Sequence, residues 1–204
     1  MSGRVLRYYQ NEAHEATLKA MDKGGDKLLW SMATGTGKTA TAVTFIEKLK
    51  KEKNYKRTLW GSHTEDLIEQ SAVVLLAELQ LMPYETLTSI INNAGGLLQL
   101  LRDNPNGMFL DDNTKLIISN IGIVKADLFD IDKPIVVASM QTLWRRLDKI
   151  PPNHFDLVIA DECHLFGANT FKKSLDYFQP KLRLGLSATP YRMDGMMMGD
   201  IFDE

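Results

Sequence analysis

The chain is expected to fold as an α/β domain, a three-layer sandwich in which helices flank a mostly parallel central sheet. Two observations predict this. Short runs rich in Leu, Ile and Val alternate with amphipathic stretches of helical length. Several of the apolar runs also end directly in small polar or charged residues: Ala33–Thr39, Ser62–Thr64, Ser139–Thr142, Asp161–His164 and Ser187–Thr189. Ligands of open parallel sheets bind beyond the carboxyl ends of the strands, so these five segments should converge on one edge.

The elements follow in order. Asn11 to Lys23 reads as a helix stopped by Gly24 and Gly25. Lys27 to Met32 is a short apolar strand, followed by a glycine-rich turn and a helix to about Lys51. Thr58 to Gly61 is a strand. In the next helix Ile68, Ala72, Leu75, Leu76 and Leu79 share one face, and Pro83 prevents it from running on. Met82 to Asp132 is the least regular part and reads as an insertion. It contains a helical stretch broken by Gly95 and Gly96, a turn signal at Asn104–Gly107, and strand-like runs at Leu116–Ser119 and Ile121–Val124. Beyond it come a strand at Ile135–Ala138, a short helix at Gln141–Leu147 and a break at Pro151–Pro152. A strand at Phe155–Ala160, a helix at Ala168–Phe178 and a strand at Leu182–Leu186 complete the pattern. Met193 to Glu204 has no evident partner element.

Composition narrows the function classes. With 204 residues, 44% hydrophobic and 25% charged, the chain has the make-up of one folded domain, not of a disordered tail or a coiled coil. Lys plus Arg number 24 against 26 Asp plus Glu, which excludes a uniformly basic nucleic-acid coat but leaves room for a local groove. The most basic stretch, Lys48–Arg57, starts at the far end of its helix and reads as a solvated face. One cysteine rules out an intramolecular disulfide and points to a reducing compartment. No apolar run approaches the length of a membrane span, so a cytoplasmic protein is expected.

Ala33-Thr34-Gly35-Thr36-Gly37-Lys38-Thr39 lies between a strand and a helix. Its glycines allow a tight turn that brings successive backbone N–H groups onto a phosphate. The positive end of the following helix adds to the attraction. Lys38 would reach the outer phosphates, and the Thr39 hydroxyl would ligate magnesium. Met32 stands where the usual phosphate-loop pattern begins with glycine. Further along, Phe155–Ala160 runs into Asp161 and Glu162. Two acids at the end of a buried strand need a cation or hydrogen bonds. Beside a bound nucleotide, Asp161 would hold the magnesium and Glu162 would deprotonate the attacking water. Zinc at Cys163 and His164 is disfavoured because no second cysteine exists, and adjacent residues rarely form a Cys–His nucleophile pair. Cys163 reads as a small packing residue.

Taken in order, Met32–Thr39, Asp161–His164 and Ser187–Pro190 resemble the motifs of superfamily 2 helicases of the DEAH-type branch. The likeness is nearest to the motor subunits of type I and type III restriction enzymes. Leu6–Gln10 is similar to that family's Leu-Arg-Pro-Tyr-Gln opening, with Tyr8 in place of proline. His63–Gln70 is similar to His-Arg-x-Glu-Leu-Leu-x-Gln, with Thr64 in place of arginine. Val136–Leu143 and Leu186–Arg192 also match.

The resemblance implies a first RecA-like motor domain using ATP and Mg2+. Arg7 and Gln10 would recognise adenine, and Thr34, Gly35, Thr36, Gly37, Lys38 and Thr39 would hold the phosphates. Ser62, His63, Ser139, Gln141 and Thr142 would lie along a nucleic-acid backbone, DNA rather than RNA. His164, Ser187, Thr189 and Arg192 would couple nucleotide state to strand grip. Two roles have local competitors: Ser62 with Glu65 also fits a helix capping box, and Gln10 also fits a surface position before a helix. The resemblance further implies a second RecA-like domain in a longer protein, reached through a linker starting at residues 193–204. Three other readings remain: an RNA helicase fragment, a nucleotide-dependent protein-interaction module, and a small-molecule kinase.

Overall fold

Burial on both faces is what the apolar runs require, and the sheet provides it. The computed structural model describes residues 5–62, 67–104, 111–165, 168–189 and Phe202, with backbone alone at 168–171. In chain order the elements begin with α1 (Tyr8–Asp22), β1 (Lys27–Ser31), α2 (Lys38–Lys53), β2 (Thr58–Ser62) and α3 (Leu67–Glu78). Next come α4 (Tyr84–Asn93), α5 (Leu97–Asp103), α6 (Asp112–Asn120), β3 (Ile121–Lys125) and β4 (Leu128–Phe129). The last are β5 (Ile135–Ser139), α7 (Met140–Trp144), β6 (Leu157–Asp161), α8 (Ala168–Tyr177) and β7 (Leu182–Ser187).

The strands form one sheet in the order β1-β7-β6-β2-β5-β3-β4. Every pairing is parallel except the short antiparallel β3–β4. β2, β5 and β7 are buried along their whole length, as strands covered on both faces must be. Side chains alternate across the sheet. One face carries Trp60, Ile135, Val137, Ile159 and Leu184, which pack with α2 and α3 in the larger core. Leu59, Val136, Ala138 and Val158 point the other way, towards α7 and α8.

α1 is held to the sheet by polar as well as apolar contacts. The Trp30 indole N–H donates to the Thr17 hydroxyl at 2.8 Å, and His14 Nε2 lies 2.9 Å from the Thr41 carbonyl, to which it donates. The His14 ring packs between Trp30 and Phe45. Burial lowers its pKa and keeps it neutral. At the amino edge of the sheet Asp156 accepts from the backbone N–H groups of Lys56 (2.7 Å) and Arg57 (3.3 Å), and pairs with Lys181 at 2.8 Å. That carboxylate ties the starts of β2, β6 and β7 together.

Several elements differ from the sequence reading. α1 begins at Tyr8 rather than Asn11, so Gln10 lies inside the helix. Leu116–Ser119 is helical, not a strand. Asp111 caps α6 by accepting from the N–H groups of Asn113 and Thr114, and the helix runs to Asn120 before β3 starts. The short helix after β5 spans Met140–Trp144 only. The segment 82–132 supplies β3 and β4 to the sheet and Leu87, Ile91, Leu97 and Leu100 to the core. In the tail, Phe202 is buried against β7. It fits because Gly185 has no side chain: a Cβ there would lie 2.9 Å from the Phe202 ring. Part of the Asn104–Gly107 turn lies outside the described residues. Lys50, Lys51, Lys53 and Lys56 are exposed, as a solvated face requires. Among the described residues no helix is long and apolar enough to cross a membrane.

Burial by itself would raise the Asp156 pKa, but Lys181 and the two N–H groups outweigh it and hold the carboxyl below its ordinary value. Asp156→Asn is therefore expected to lower stability by about 1–3 kcal/mol, read from urea midpoints at pH 7. The deficit should shrink as pH falls through the folded-state pKa of Asp156, because the wild-type carboxylate then loses its charge. An unchanged midpoint at pH 7 would show that the clasp contributes nothing.

Candidate functional site

The parallel register brings the ends of β1, β7 and β6 side by side. The Met32 N–H donates to the Ser187 carbonyl at 2.9 Å, which seats the loop after β1 against the end of β7. Gly35 and Gly37 adopt left-handed φ values of 80° and 83°, conformations that glycine takes without strain. Gly37 is the N-cap of α2. A helix start leaves the N–H groups of its first turn without intrahelical partners, and here they belong to Lys38 and the residues after it. Thr34 and Gly35 are exposed, while Lys38 is buried.

Tyr9 and Gln10 hold this loop from α1. The Tyr9 hydroxyl and Gln10 Nε2 both donate to the Thr36 carbonyl, at 3.1 and 3.2 Å. Gln10 Oε1 accepts from the Arg7 N–H at 2.9 Å, and Arg7 Nη1 donates to the Tyr9 hydroxyl. Gln10 is buried, and both ends of its amide are engaged. Motif reading misses Tyr9, although an aromatic residue directly beside Gln10 is a signal for it. Next to the loop, between α1 and β1, opens a largely apolar cleft of about 650 Å³ with Tyr9, Met32 and Thr36 among its walls.

Across from the loop stand the two acids. Lys38 Nζ lies 3.0 Å from Glu162 Oε1, an ion pair whose geometry leaves Nζ without an aligned hydrogen bond. Glu162 has a φ of 48°, the left-handed region that residues with a side chain seldom occupy. Its second oxygen is 3.4 Å from His164 Nδ1, and that nitrogen lies 2.9 Å from the Ser187 hydroxyl. Ser187 Oγ in turn accepts from the Thr189 N–H at 3.1 Å and donates to the Thr189 carbonyl. A polar chain thus runs from Glu162 through His164 and Ser187 to Thr189.

Asp161 is largely buried. Desolvation raises its pKa to about 6, and the neighbouring Glu162 charge adds to the rise. The Trp60 indole N–H, Lys38 and the Glu162 backbone N–H act in the opposite direction. Thr39 and Asp161 line one cavity of about 190 Å³. Burial pushes the Cys163 thiol up to about 12, so it stays neutral and packs in the core.

The donor set fits a nucleotide with magnesium. Lys38 Nζ and Glu162 Oε2 are buried polar atoms without a hydrogen-bond partner. The loop is open at Gly35, where a Cβ would meet nothing within 4 Å. Among the described residues no three His, Cys, Asp or Glu side chains cluster to hold a metal. One hydroxyl and one carboxylate completed by phosphate oxygens is the usual arrangement for magnesium.

The residues expected along a nucleic acid are placed differently from one another. Ser62, Ser139 and Thr142 are buried, and Gln141 is exposed. Ser62 Oγ lies 3.3 Å from Ser71 Oγ. Ser139 caps α7, accepting from the Thr142 N–H at 3.4 Å. His63, Thr64, Glu65 and Arg192 lie outside the described residues, and with them the capping-box reading of Ser62.

Residues 4–192 match the family model described as type III restriction enzyme, res subunit. The endonuclease subunit of the type I restriction enzyme EcoAI from Escherichia coli is 27% identical over 206 residues, covering 100% of this chain and 22% of that protein. The putative ATP-dependent helicase IRC3 of Saccharomyces cerevisiae is 29% identical over 209 residues, covering 100% of this chain and 26% of that protein. The chain thus spans about a quarter of the length of these relatives. Among solved structures, the SWI2/SNF2 ATPase core of Sulfolobus solfataricus in complex with dsDNA superposes with a TM-score of 0.59 at 16% identity, over 92% of this chain and 32% of that one. The shared fold is the RecA-like sandwich expected from the motifs.

Between the ordinary carboxyl value and about 6, the folded chain binds a proton at Asp161 that the unfolded chain does not. Stability contributed by this group therefore falls as pH rises through that window. Asp161→Asn, melted in EDTA, should gain about 2–3 kcal/mol at pH 8 and almost nothing at pH 4. An equal gain at both pH values would show that the buried charge is not its source.

Proposed function

Because the chain belongs to the family of type III restriction enzyme res subunits, we propose that it is the ATP-binding first motor domain of a nucleic-acid-dependent ATPase, a DNA helicase or translocase. The observation that carries this reading is the Lys38–Glu162 pair at 3.0 Å, a phosphate-binding lysine facing a candidate base across the end of the sheet. The relatives that are restriction endonuclease subunits or helicases, and the neighbour solved with dsDNA, support the same class.

The Lys38 ammonium and the N–H groups at the start of α2 hold the outer phosphates. Thr39 and Asp161 would hold magnesium, which supplies charge neutralisation at the phosphates when bound. Lys38 cannot serve Glu162 and a phosphate equally well. Nucleotide entry therefore draws the ammonium away and releases the Glu162 carboxylate to orient and deprotonate water. His164, Ser187 and Thr189 carry that change towards the end of β7 through the hydrogen bonds already present. Arg7 and Gln10 read the adenine, and since Gln10 also holds the Thr36 carbonyl, base contact and loop shape are linked. The apolar cleft beside Thr36 offers a flat base an apolar wall.

The strand runs over the ends of β2 and β5. With Ser62, Ser139 and Thr142 buried, grip there comes from Gln141, His63 and backbone groups, which recognise phosphate and sugar without reading bases. A second RecA-like domain in cis would contribute an arginine finger, worth about 10³–10⁵ in rate.

Lys38→Ala should abolish binding of a fluorescent ATP analogue by the 204-residue chain. Glu162→Gln should bind it about 3- to 10-fold more tightly, through loss of the competing charge, an effect of roughly 1 kcal/mol. Weaker binding in Glu162→Gln would sink the competition. Anisotropy with labelled single strands should show sequence-tolerant, salt-sensitive binding; a strand that never binds, with or without nucleotide, would leave a protein-interaction module as the reading.

A further inference from the structure

Trp60 lies in the middle of β2 with no exposed surface, and its indole N–H is a buried donor that makes no hydrogen bond of aligned geometry. A buried N–H left unpaired costs about 1–3 kcal/mol, and native structures seldom tolerate one without a reason. Packing alone does not ask for this group. A phenylalanine offers a comparable apolar ring at a core position and no donor to satisfy.

The register shows what the donor shares its surroundings with. Trp60 stands opposite Ile159 in the parallel β2–β6 pair. Side chains alternate along a strand, so Ile159 and Asp161 occupy one face, and Trp60 lies on that same face. It is the face covered by α2 and α3. There the cavity of about 190 Å³ is lined by Trp60 and Asp161 together with Thr39, Gln70 and Ser71. Two of those residues are the pair assigned to magnesium. A cavity of that size has room for several waters.

We propose that Trp60 is a positioning residue for the metal site: its indole N–H donates to the Asp161 carboxylate, directly or through one cavity water, and so fixes which carboxylate oxygen faces the magnesium. The inference rests on the nucleotide-binding reading above. An indole is a donor only, so it can serve the charged carboxylate and cannot compete for the cation. The same N–H opposes the rise that burial imposes on the Asp161 pKa. Partners of this kind, one step behind a metal ligand, typically govern metal affinity by about 10- to 100-fold.

The test compares Trp60→Phe with the wild-type 204-residue chain. A fluorescent ATP analogue is titrated in EDTA and then across a range of magnesium chloride at pH 8. The expected result is unchanged affinity in EDTA and a magnesium half-saturation about tenfold higher in the variant. Equal magnesium half-saturation, or the same loss with and without the metal, would overturn the inference and leave the nucleotide reading standing. Absence of nucleotide binding by the wild type would instead remove the reading beneath it. Should Trp60→Phe fail to fold, the three indole N–H resonances of the wild type, with Trp30→Phe and Trp144→Phe to assign them, provide the measurement. The Trp60 resonance should move when magnesium joins the bound nucleotide, and one indifferent to the metal would overturn the inference.

Discussion

The ion pair between Lys38 and Glu162 is the constraint around which the carboxyl edge is arranged. Its ammonium is almost wholly removed from water and has no aligned hydrogen bond, so the nearby carboxylate is what makes burial of the charge tolerable. Glu162 reaches it from a left-handed backbone conformation, a cost of about 1–3 kcal/mol that the surrounding structure must offset. A pair held in this way is poised for exchange. On the proposed reading, a phosphate group takes the lysine and leaves the carboxylate available to another group.

The order of the strands gives that exchange its reach. β7 lies between β1 and β6, so the hydroxyl at its end, on Ser187, sits between the loop after β1 and the acids after β6. One side of Ser187 meets His164, and its backbone carbonyl accepts from Met32. Glu162, His164, Ser187 and Thr189 thus lie in one polar row along the ends of β6 and β7, with hydrogen bonds from His164 to Ser187 and from Ser187 to Thr189. On the outer side, α1 grips the loop through the Thr36 carbonyl while His14 and Thr17 anchor the same helix to α2 and β1. The loop is thus held from both flanks and is open at Gly35.

Small hydroxyl residues at strand ends are ambiguous by nature, and Ser139 shows why. A serine directly before a helix satisfies a free N–H of the first turn, whatever else it could bind. Ser139 does so, and its burial follows from that role. Ser62 likewise meets Ser71 across the start of α3. Among the described members of this set, Gln141 is exposed.

Much was legible from the residues alone because it rests on local rules. Strand-length apolar runs, glycines in a turn before a helix, and paired acids after a buried strand each carry their own chemistry. They determined the parallel α/β class, the phosphate loop and the Asp161–Glu162 pair. Where the sequence reading failed, the deciding force came from elsewhere. Leu116–Ser119 and Ile121–Val124 both read as strand-like runs in sequence, and the Asp111 cap makes the first of them helix while pairing with β5 keeps the second as strand. The contacts of Tyr9 and His14 are set by partners 27 residues away, in the loop and on α2. Periodicity and spacing describe neighbours along the chain. Which buried donor faces which acceptor is decided when the strands choose their order.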